Sequence, residues 1–391
     1  LSHKINPFEY ILLLLCATLG LFFLTSSYDL ISLYLAIEVQ SLCLYVLAAS
    51  KKKSSFSLEA GLKYFILGSF SSALFLFGAS LLYGSTGTTN FMNFFHFFSK
   101  LENFPLIVSV EHAWMCILIA FFFKIAAAPF HMWAPDVYEG SPTSSTIFFT
   151  VVPKIALFTV FLRLFQGVFN TFEDLFLFLF LFSAIFSVIV GSFIALRQKK
   201  LKRLLAYSSI SHVGYLLLAV SSNSLEGCQS LFFYLIIYMI TSLCAWSIVL
   251  SLNTSLNYNK SKTLSDLAQV SASNPLLGFS AVLTFFSLAG VPPLAGFFAK
   301  MEIFIYALSS DLYIASIIAI LSSVISAFFY VRLVKTMYFE KKKFYFFIFP
   351  VTQACSIMIG LGIFSLLFFA INPTLLLLFS QKLALCLFKF H

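Results

Sequence analysis

Residues 121–143 read FFFKIAAAPFHMWAPDVYEGSPT. An apolar run carries a single lysine, Lys124, and five residues later Pro129 interrupts any regular helix, with His131 directly behind it. A second stretch repeats the theme: residues 290–304 read GVPPLAGFFAKMEIF, with Pro292 and Pro293 ahead of Lys300. Proline removes a helix hydrogen bond and leaves a carbonyl without a partner. An apolar run that holds both a charge and a broken backbone suits a membrane-spanning segment buried among others or lining a wet cavity, because lipid satisfies neither group.

The rest of the chain agrees. Of 391 residues, 60% are hydrophobic and only 10% charged, against roughly 45–50% and about 25% in soluble domains. That leaves too few charges to cover a water-facing surface, so the solvent is lipid. Apolar runs lie near 9–26, 28–50, 62–83, 111–130, 144–165, 174–196, 204–222, 228–252, 275–308, 312–338 and 345–371. Each is long enough for a helix across a hydrocarbon core of about 30 Å. The run at 275–308 is too long for one straight span and reads as one broken helix around Gly290, Pro292, Pro293 and Gly296. A further piece at 374–388 is short for a span, and 84–109, with its FMNFFHFF, reads as interfacial. The fold expected is an all-α polytopic membrane protein of about eleven transmembrane helices, with no second domain.

The formal net charge is +9. Its lysines and arginines cluster between apolar runs, which is a topogenic pattern, and no extramembrane segment is long enough to bind nucleic acid. Lys51, Lys52 and Lys53 follow the second run. Arg197, Lys199, Lys200, Lys202 and Arg203 follow the sixth, Lys260 and Lys262 the eighth, and Lys341, Lys342 and Lys343 the tenth. In an eleven-helix count all of these loops fall on the side of the N-terminus, while the opposite loops carry mainly Lys100 and Arg163. Seven cysteines are scattered without a C-x-x-C pair, so no iron–sulfur, zinc or disulfide framework is expected. The first run has spanning length and no A-x-A-like cleavage site, so it reads as a retained helix. Phe makes up 52 residues, in keeping with an A+T-rich organellar genome and with a lipid-facing surface.

Charges in mid-span cost on the order of 2.5–3.5 kcal/mol each on insertion scales and mark ion pathways. Four stand out: Glu38 in LYLAIEVQSL, Lys124, Lys154 in TVVPKIALF, and Lys300. One carboxylate and one lysine would make a static buried pair; the excess of lysines on separate helices points to a relay. Lysine suits that task. Its ordinary pKa of about 10.4 falls on burial and recovers beside a carboxylate, whereas arginine keeps its proton. Lys63, with Glu59 one turn earlier, fits an interfacial i,i+4 pair and equally a secondary relay position. His131 and His212 are candidates of the same rank, since a lone histidine is commonly structural yet titrates near neutral pH. Ser208, Ser209 and Ser211 beside His212 offer hydroxyls for water or for helix packing.

No G-x-G-x-x-G after a strand, P-loop or metal-ligand spacing appears, so no cofactor is expected on this chain. The stretches LAIEVQSLCLYVLAA, EAGLKYFILGSFSSALFLFG, FFFKIAAAPFHMWAPDVYEGSPT, KRLLAYSSISHVGYLLL and LAGVPPLAGFFAKMEIF together resemble the antiporter-like membrane-arm subunits of respiratory NADH:quinone oxidoreductase. The resemblance covers most of the chain in order, and HMWAPDVYEG is its specific part. It implies two inverted five-helix repeats, 9–165 and 174–338, each with a broken helix, and a C-terminal helix at 345–371. It implies that Glu38 pairs with Lys124, that Lys154 connects onward, and that Lys300 serves the exit side, with Lys63, His131 and His212 on the same hydrophilic axis. It implies proton translocation driven by redox chemistry elsewhere: NADH, FMN, iron–sulfur clusters and ubiquinone would be used by the complex, not held by this chain. Expected partners are other membrane-arm subunits, including neighbouring antiporter-like ones, and membrane lipids; the expected location is the mitochondrial inner membrane. The family's bacterial and plant-type members carry three further helices ahead of the one matching 9–26, which a separate chain would supply or which would be lost. A competing reading is a subunit of a cation/proton antiporter, which shares the broken helices and lysines.

Overall fold

A backbone amide in lipid finds no water, so each apolar run closes its hydrogen bonds upon itself as a helix. The structure, a computed structural model, describes residues 7–51, 54–98, 107–168, 173–252, 263–268, 270–340 and 351–388. The elements are α1 (Pro7–Ser26), α2 (Leu30–Ala48), α3 (Ser55–Thr86), α4 (Phe91–Phe98), α5 (Ile107–Ile125), α6 (Trp133–Gly140), α7 (Thr143–Leu162), α8 (Glu173–Arg197), α9 (Leu201–Ser221), α10 (Leu225–Ser251), α11 (Val270–Ser273), α12 (Pro275–Ala289), α13 (Ala295–Ser309), α14 (Tyr313–Tyr338), α15 (Gln353–Ile371) and α16 (Thr374–Phe388). Extended pairing among the described residues is limited to the bridges Asp29–Asn90 and Lys200–Thr263.

Among the described residues nine helices, α1, α2, α3, α7, α8, α9, α10, α14 and α15, are long and apolar enough to span a membrane. With the 19-residue α5 and the interrupted α12–α13 pair they match the eleven spans expected from sequence. One outcome differs in detail from the hydropathy reading. Helix α3 has 32 residues, about 48 Å at 1.5 Å per residue, and begins about two turns ahead of the apolar run at 62–83; those turns carry Glu59, and Lys63 stands at the start of the run. Helix α7, in agreement with the single run at 144–165, continues unbroken through Pro153, so that proline removes one hydrogen bond without ending the helix. Lys52, Lys53, Lys100, Lys260, Lys262 and Lys341–Lys343, expected at the loop faces, lie outside the described residues.

The chain divides into two compact units, one ending at Leu179 and the other running Phe180–Cys386, so the division falls within α8. In the first unit α3 packs on α2, α5 and α6, and α1 packs on α2 and α7. Arg163, just past α7, donates to the carbonyl of Ser27, just past α1, at 3.1 Å. In the second unit α10 packs on α9, α12, α13 and α15, and α12 packs on α14. Here Arg332 of α14 donates to the carbonyl of Leu196 near the end of α8 at 3.2 Å. Both arginines reach back across 136 residues.

Caps agree with the chemistry of the termini. Ser224 accepts from the Gly227 amide at the start of α10. Asn274 accepts from the Leu277 amide at the start of α12, with Pro275 in the first turn where its missing N–H costs nothing.

Candidate functional site

The first unit's break begins where α5 stops. Ala126 turns left-handed at φ 61°, the Ala128–Pro129 bond is cis, and α6 starts at Trp133. A helix that ends leaves its last carbonyls without intrahelical partners. Phe122 O is taken by the Ala127 amide at 2.9 Å and Phe123 O by the Ala126 amide at 3.1 Å. Phe123 O also accepts the indole N–H of Trp133 at 2.8 Å. That indole stacks on Tyr64, with centroids 4.7 Å apart and planes 9° from parallel.

Lys124 sits in this last turn of α5, with its ammonium 6.0 Å from the centroid of the Tyr45 ring. It borders two cavities. One, of about 20 Å³, is shared with Lys154, Gln40, Ser41, Tyr64, Trp133 and Tyr138; the other, of about 10 Å³, with Tyr34, Ser71 and Ser72. Spaces of this size suit about one water molecule. Lys154 is only 4% exposed. Pro153 beside it also lines the larger cavity, so each of the three mid-span lysines has proline nearby in sequence.

Glu38 is half-buried on α2. The Ser41 hydroxyl donates to its backbone carbonyl at 3.2 Å, and its Oε1 is buried without a hydrogen-bond partner in the structure. The Glu38 carboxylate acts on Lys124 through space, but the two groups are not joined as an ion pair within 4.0 Å. Lys63 is 44% exposed and bridges Glu59 at 2.8 Å and Asp136 at 3.0 Å. The i,i+4 pair is therefore present, and a second carboxylate from α6 joins it. His131 is buried in the break, its Nδ1 lacking a partner.

The second unit's break is built differently. Helix α12 ends at Ala289 on a left-handed Gly290, φ 83°, whose amide returns to Phe286 O at 3.0 Å. The Pro292–Pro293 bond is cis, and α13 follows from Ala295. Here the lysine itself satisfies the freed backbone: Lys300, 5% exposed, donates from Nζ to Ala289 O at 2.8 Å, with its ammonium 5.3 Å above the Tyr215 ring. The stem of Lys300 lies across Gly290, where a Cβ would come 2.9 Å from Cδ. A Cβ at Gly296 would collide with the Ser287 carbonyl.

His212, 4% exposed, has both ring nitrogens engaged: Nδ1 lies 2.6 Å from the Tyr234 hydroxyl and Nε2 3.2 Å from that of Tyr330. It borders two cavities of about 10 Å³ each. One includes Lys300, Ser287 and Thr241; the other includes Ser208, Ser209 and Ser242. The serine hydroxyls of that second cavity donate to their own helices: Ser208 to Leu205 O, Ser209 to Ala206 O and Ser242 to Met239 O.

The structure thus brings Lys124, Lys154 and Trp133 onto one cavity with Glu38 close by, and sets Lys300 and His212 on another within the second unit. Sequence reading passed over Asp136, Trp133, Pro153 and Glu302. Two of these left a signal. Glu302 is a carboxylate two residues past Lys300 inside an apolar run, and Pro153 adjoins a buried lysine. Among the described residues no three of His, Cys, Asp and Glu stand together as metal ligands.

This arrangement of broken helices and buried lysines has relatives. Residues 27–326 match the family described as NADH:quinone oxidoreductase/Mrp antiporter, transmembrane. The chain belongs to this family. Within the NADH:quinone oxidoreductase/Mrp antiporter family it is 45% identical to NADH-ubiquinone oxidoreductase chain 2 of Marchantia polymorpha, over 99% of this chain and 78% of that protein. Among solved structures, a chain of respiratory complex I from Thermus thermophilus superposes with a TM-score of 0.81 at 34% identity, covering 95% of this chain and 80% of that one. A chain of the Mrp complex from Dietzia sp. DQ12-45-1b superposes with a TM-score of 0.84 at 21% identity, covering 95% of this chain and 76% of that one; this likeness is one of fold alone. In family terms the chain is an antiporter-like, multi-pass membrane subunit.

Proposed function

We propose that this chain is the antiporter-like, proton-translocating membrane-arm subunit of an NADH:ubiquinone oxidoreductase of the mitochondrial inner membrane. The observation that carries the reading is the cavity that Lys124 and Lys154 share at a helix break. Two ammonium groups that face one water-sized space repel when both are charged, so a proton arriving on one favours departure from the other. Glu38 supplies the opposing charge that holds or releases the proton on Lys124, and Lys300 with His212 plays the same part in the second unit. Lys63 and His131 are secondary sites. Moving one charge across the membrane exchanges about 2.3 kcal/mol per 100 mV with the potential. The redox groups, NADH, FMN, iron–sulfur clusters and ubiquinone, belong to other subunits of the complex.

The same reading organises the chain as two inverted five-helix repeats, 9–165 and 174–338, followed by a helix at 345–371. Support comes from the interrupted fourth helix of each repeat and from the arginines that tie the fifth helix of each to the first over equal sequence distances. The relatives above 30% identity carry NADH oxidoreductase or complex I in their names, which favours this function over a cation/proton antiporter.

The test uses source membranes. On a native gel the chain is expected to migrate with NADH-dehydrogenase activity and with redox-subunit peptides. A Lys124→Met variant, similar in length but without the titrating group, is expected to assemble and to lose NADH-driven proton pumping. A fully assembled Lys124→Met complex that pumps normally would remove Lys124 from the relay.

A further inference from the structure

Both breaks leave a carbonyl at a helix end with a lone pair open to a side chain, and they fill it with different donors: at the first break Phe123 O takes the Ala126 amide and one donor more, and at the second Ala289 O takes a lysine. At the second break the donor is the relay candidate itself, Lys300 to Ala289 O at 2.8 Å. An ammonium in such a bond is held by a charge-assisted contact, roughly twice as strong as a neutral one, so losing the proton weakens the helix cap. At the first break the donor is the indole of Trp133, 2.8 Å from Phe123 O, and an indole N–H does not titrate in the physiological range. Phe123 immediately precedes Lys124, and Trp133 lines the same cavity as Lys124 and Lys154. The indole is rigid: it stacks on Tyr64, lies against Phe123 at 5.8 Å, and meets Tyr138 edge-on at 6.2 Å.

We propose that Trp133 is the positioning residue of the Lys124 site: its indole N–H occupies the carbonyl at the broken end of α5, so that the Lys124 ammonium faces the cavity shared with Lys154 and does not cap the helix. The assignment rests on the relay reading given above. The titratable groups around Lys124 are Glu38, Tyr34 and Tyr45 on α2, Tyr64 on α3, Tyr138 on α6 and Lys154 on α7. Trp133 adds none of its own, and so its removal alters Lys124 only through geometry.

The experiment compares wild-type, Trp133→Phe, Trp133→His and Lys124→Met complexes in sealed membrane vesicles. Pumping is measured per NADH oxidised across a pH series, and assembly on native gels. Trp133→Phe keeps a stacking ring and removes the donor; Trp133→His restores a ring N–H. The expectation is assembled Trp133→Phe complex with pumping lowered about fivefold, the factor that one net hydrogen bond supplies, and the alkaline limb of its pH profile displaced to higher pH. Trp133→His should recover part of both. A Trp133→Phe complex whose pumping and pH profile superimpose on wild type, beside an impaired Lys124→Met, overturns the proposal and leaves the relay standing. Failure of Trp133→Phe to assemble where Trp133→His assembles assigns the bond to stability alone and also overturns it. Normal pumping by Lys124→Met fails the relay reading itself.

Discussion

Lys154 and Gly290 show how far single side chains decide this site. Lys154 is nearly inaccessible and lines, together with Lys124, a cavity with space for about one water. Replacing it by Arg keeps the charge and removes the ability to release it, because a guanidinium stays protonated. Lys154→Arg is expected to assemble and to pump about tenfold less or worse per NADH, a modest estimate for loss of a proton-transfer group; wild-type pumping would make Lys154 a static charge. Gly290 holds φ 83°, which costs a residue with a Cβ roughly 1–2 kcal/mol, and the added methyl would press on Cδ of Lys300. Gly290→Ala should lower the thermal-inactivation temperature of the complex and lower pumping together. An unchanged inactivation temperature would show that the break absorbs the strain. The lysines were legible in the sequence because a charge inside an apolar run is conspicuous. Trp133 was not: its partner is a backbone carbonyl ten residues earlier, shared with the Ala126 amide where α5 stops.

Helix breaks are the elements that carry the chemistry. The interruption at 290–294 was legible because two prolines and two glycines crowd one apolar run. Gly296 then allows α13 to start against the end of α12, its Cα facing the Ser287 carbonyl with no space for a methyl. Gly296→Ala is expected to abolish or sharply reduce assembled complex on native gels, more than Gly290→Ala; equal assembly of both would mean that α12 and α13 separate easily. Helix ends were less legible. The apolar run at 62–83 understates α3, because SFSLEAGLK continues the helix with polar residues beyond the hydrocarbon. Those extra turns carry Glu59, which pairs with Lys63 at the i,i+4 spacing legible in the sequence; the second carboxylate on Lys63, Asp136 of α6, is one that no local pattern announces.

At the scale of the whole chain, the two arginine ties set up a comparison. Arg163 is partly buried and lies 5.3 Å from the Tyr28 ring, while the Arg332 bond is exposed. Arg163→Ala should therefore destabilise by about 1–3 kcal/mol, the range for charge-assisted hydrogen bonds, and Arg332→Ala by less than about 1 kcal/mol, as exposed charge contacts do. Thermal inactivation of the two variants checks the order, and a larger effect from Arg332→Ala would refute it. The number of spans was legible, since each run closes its own hydrogen bonds, and the loop charges supply sidedness. Cysteines placed at Lys51 and at Lys199, in a chain otherwise cleared of cysteine, should react with an impermeant maleimide from the same membrane face; opposite faces would break the topology. One more property follows from the serines of α9 and α10. Ser208, Ser209 and Ser242 each donate a hydroxyl hydrogen to their own helix, so on their side the cavity beside His212 meets oxygen lone pairs. That side of the space suits a hydrogen-bond donor, a water or a hydronium, better than an anion.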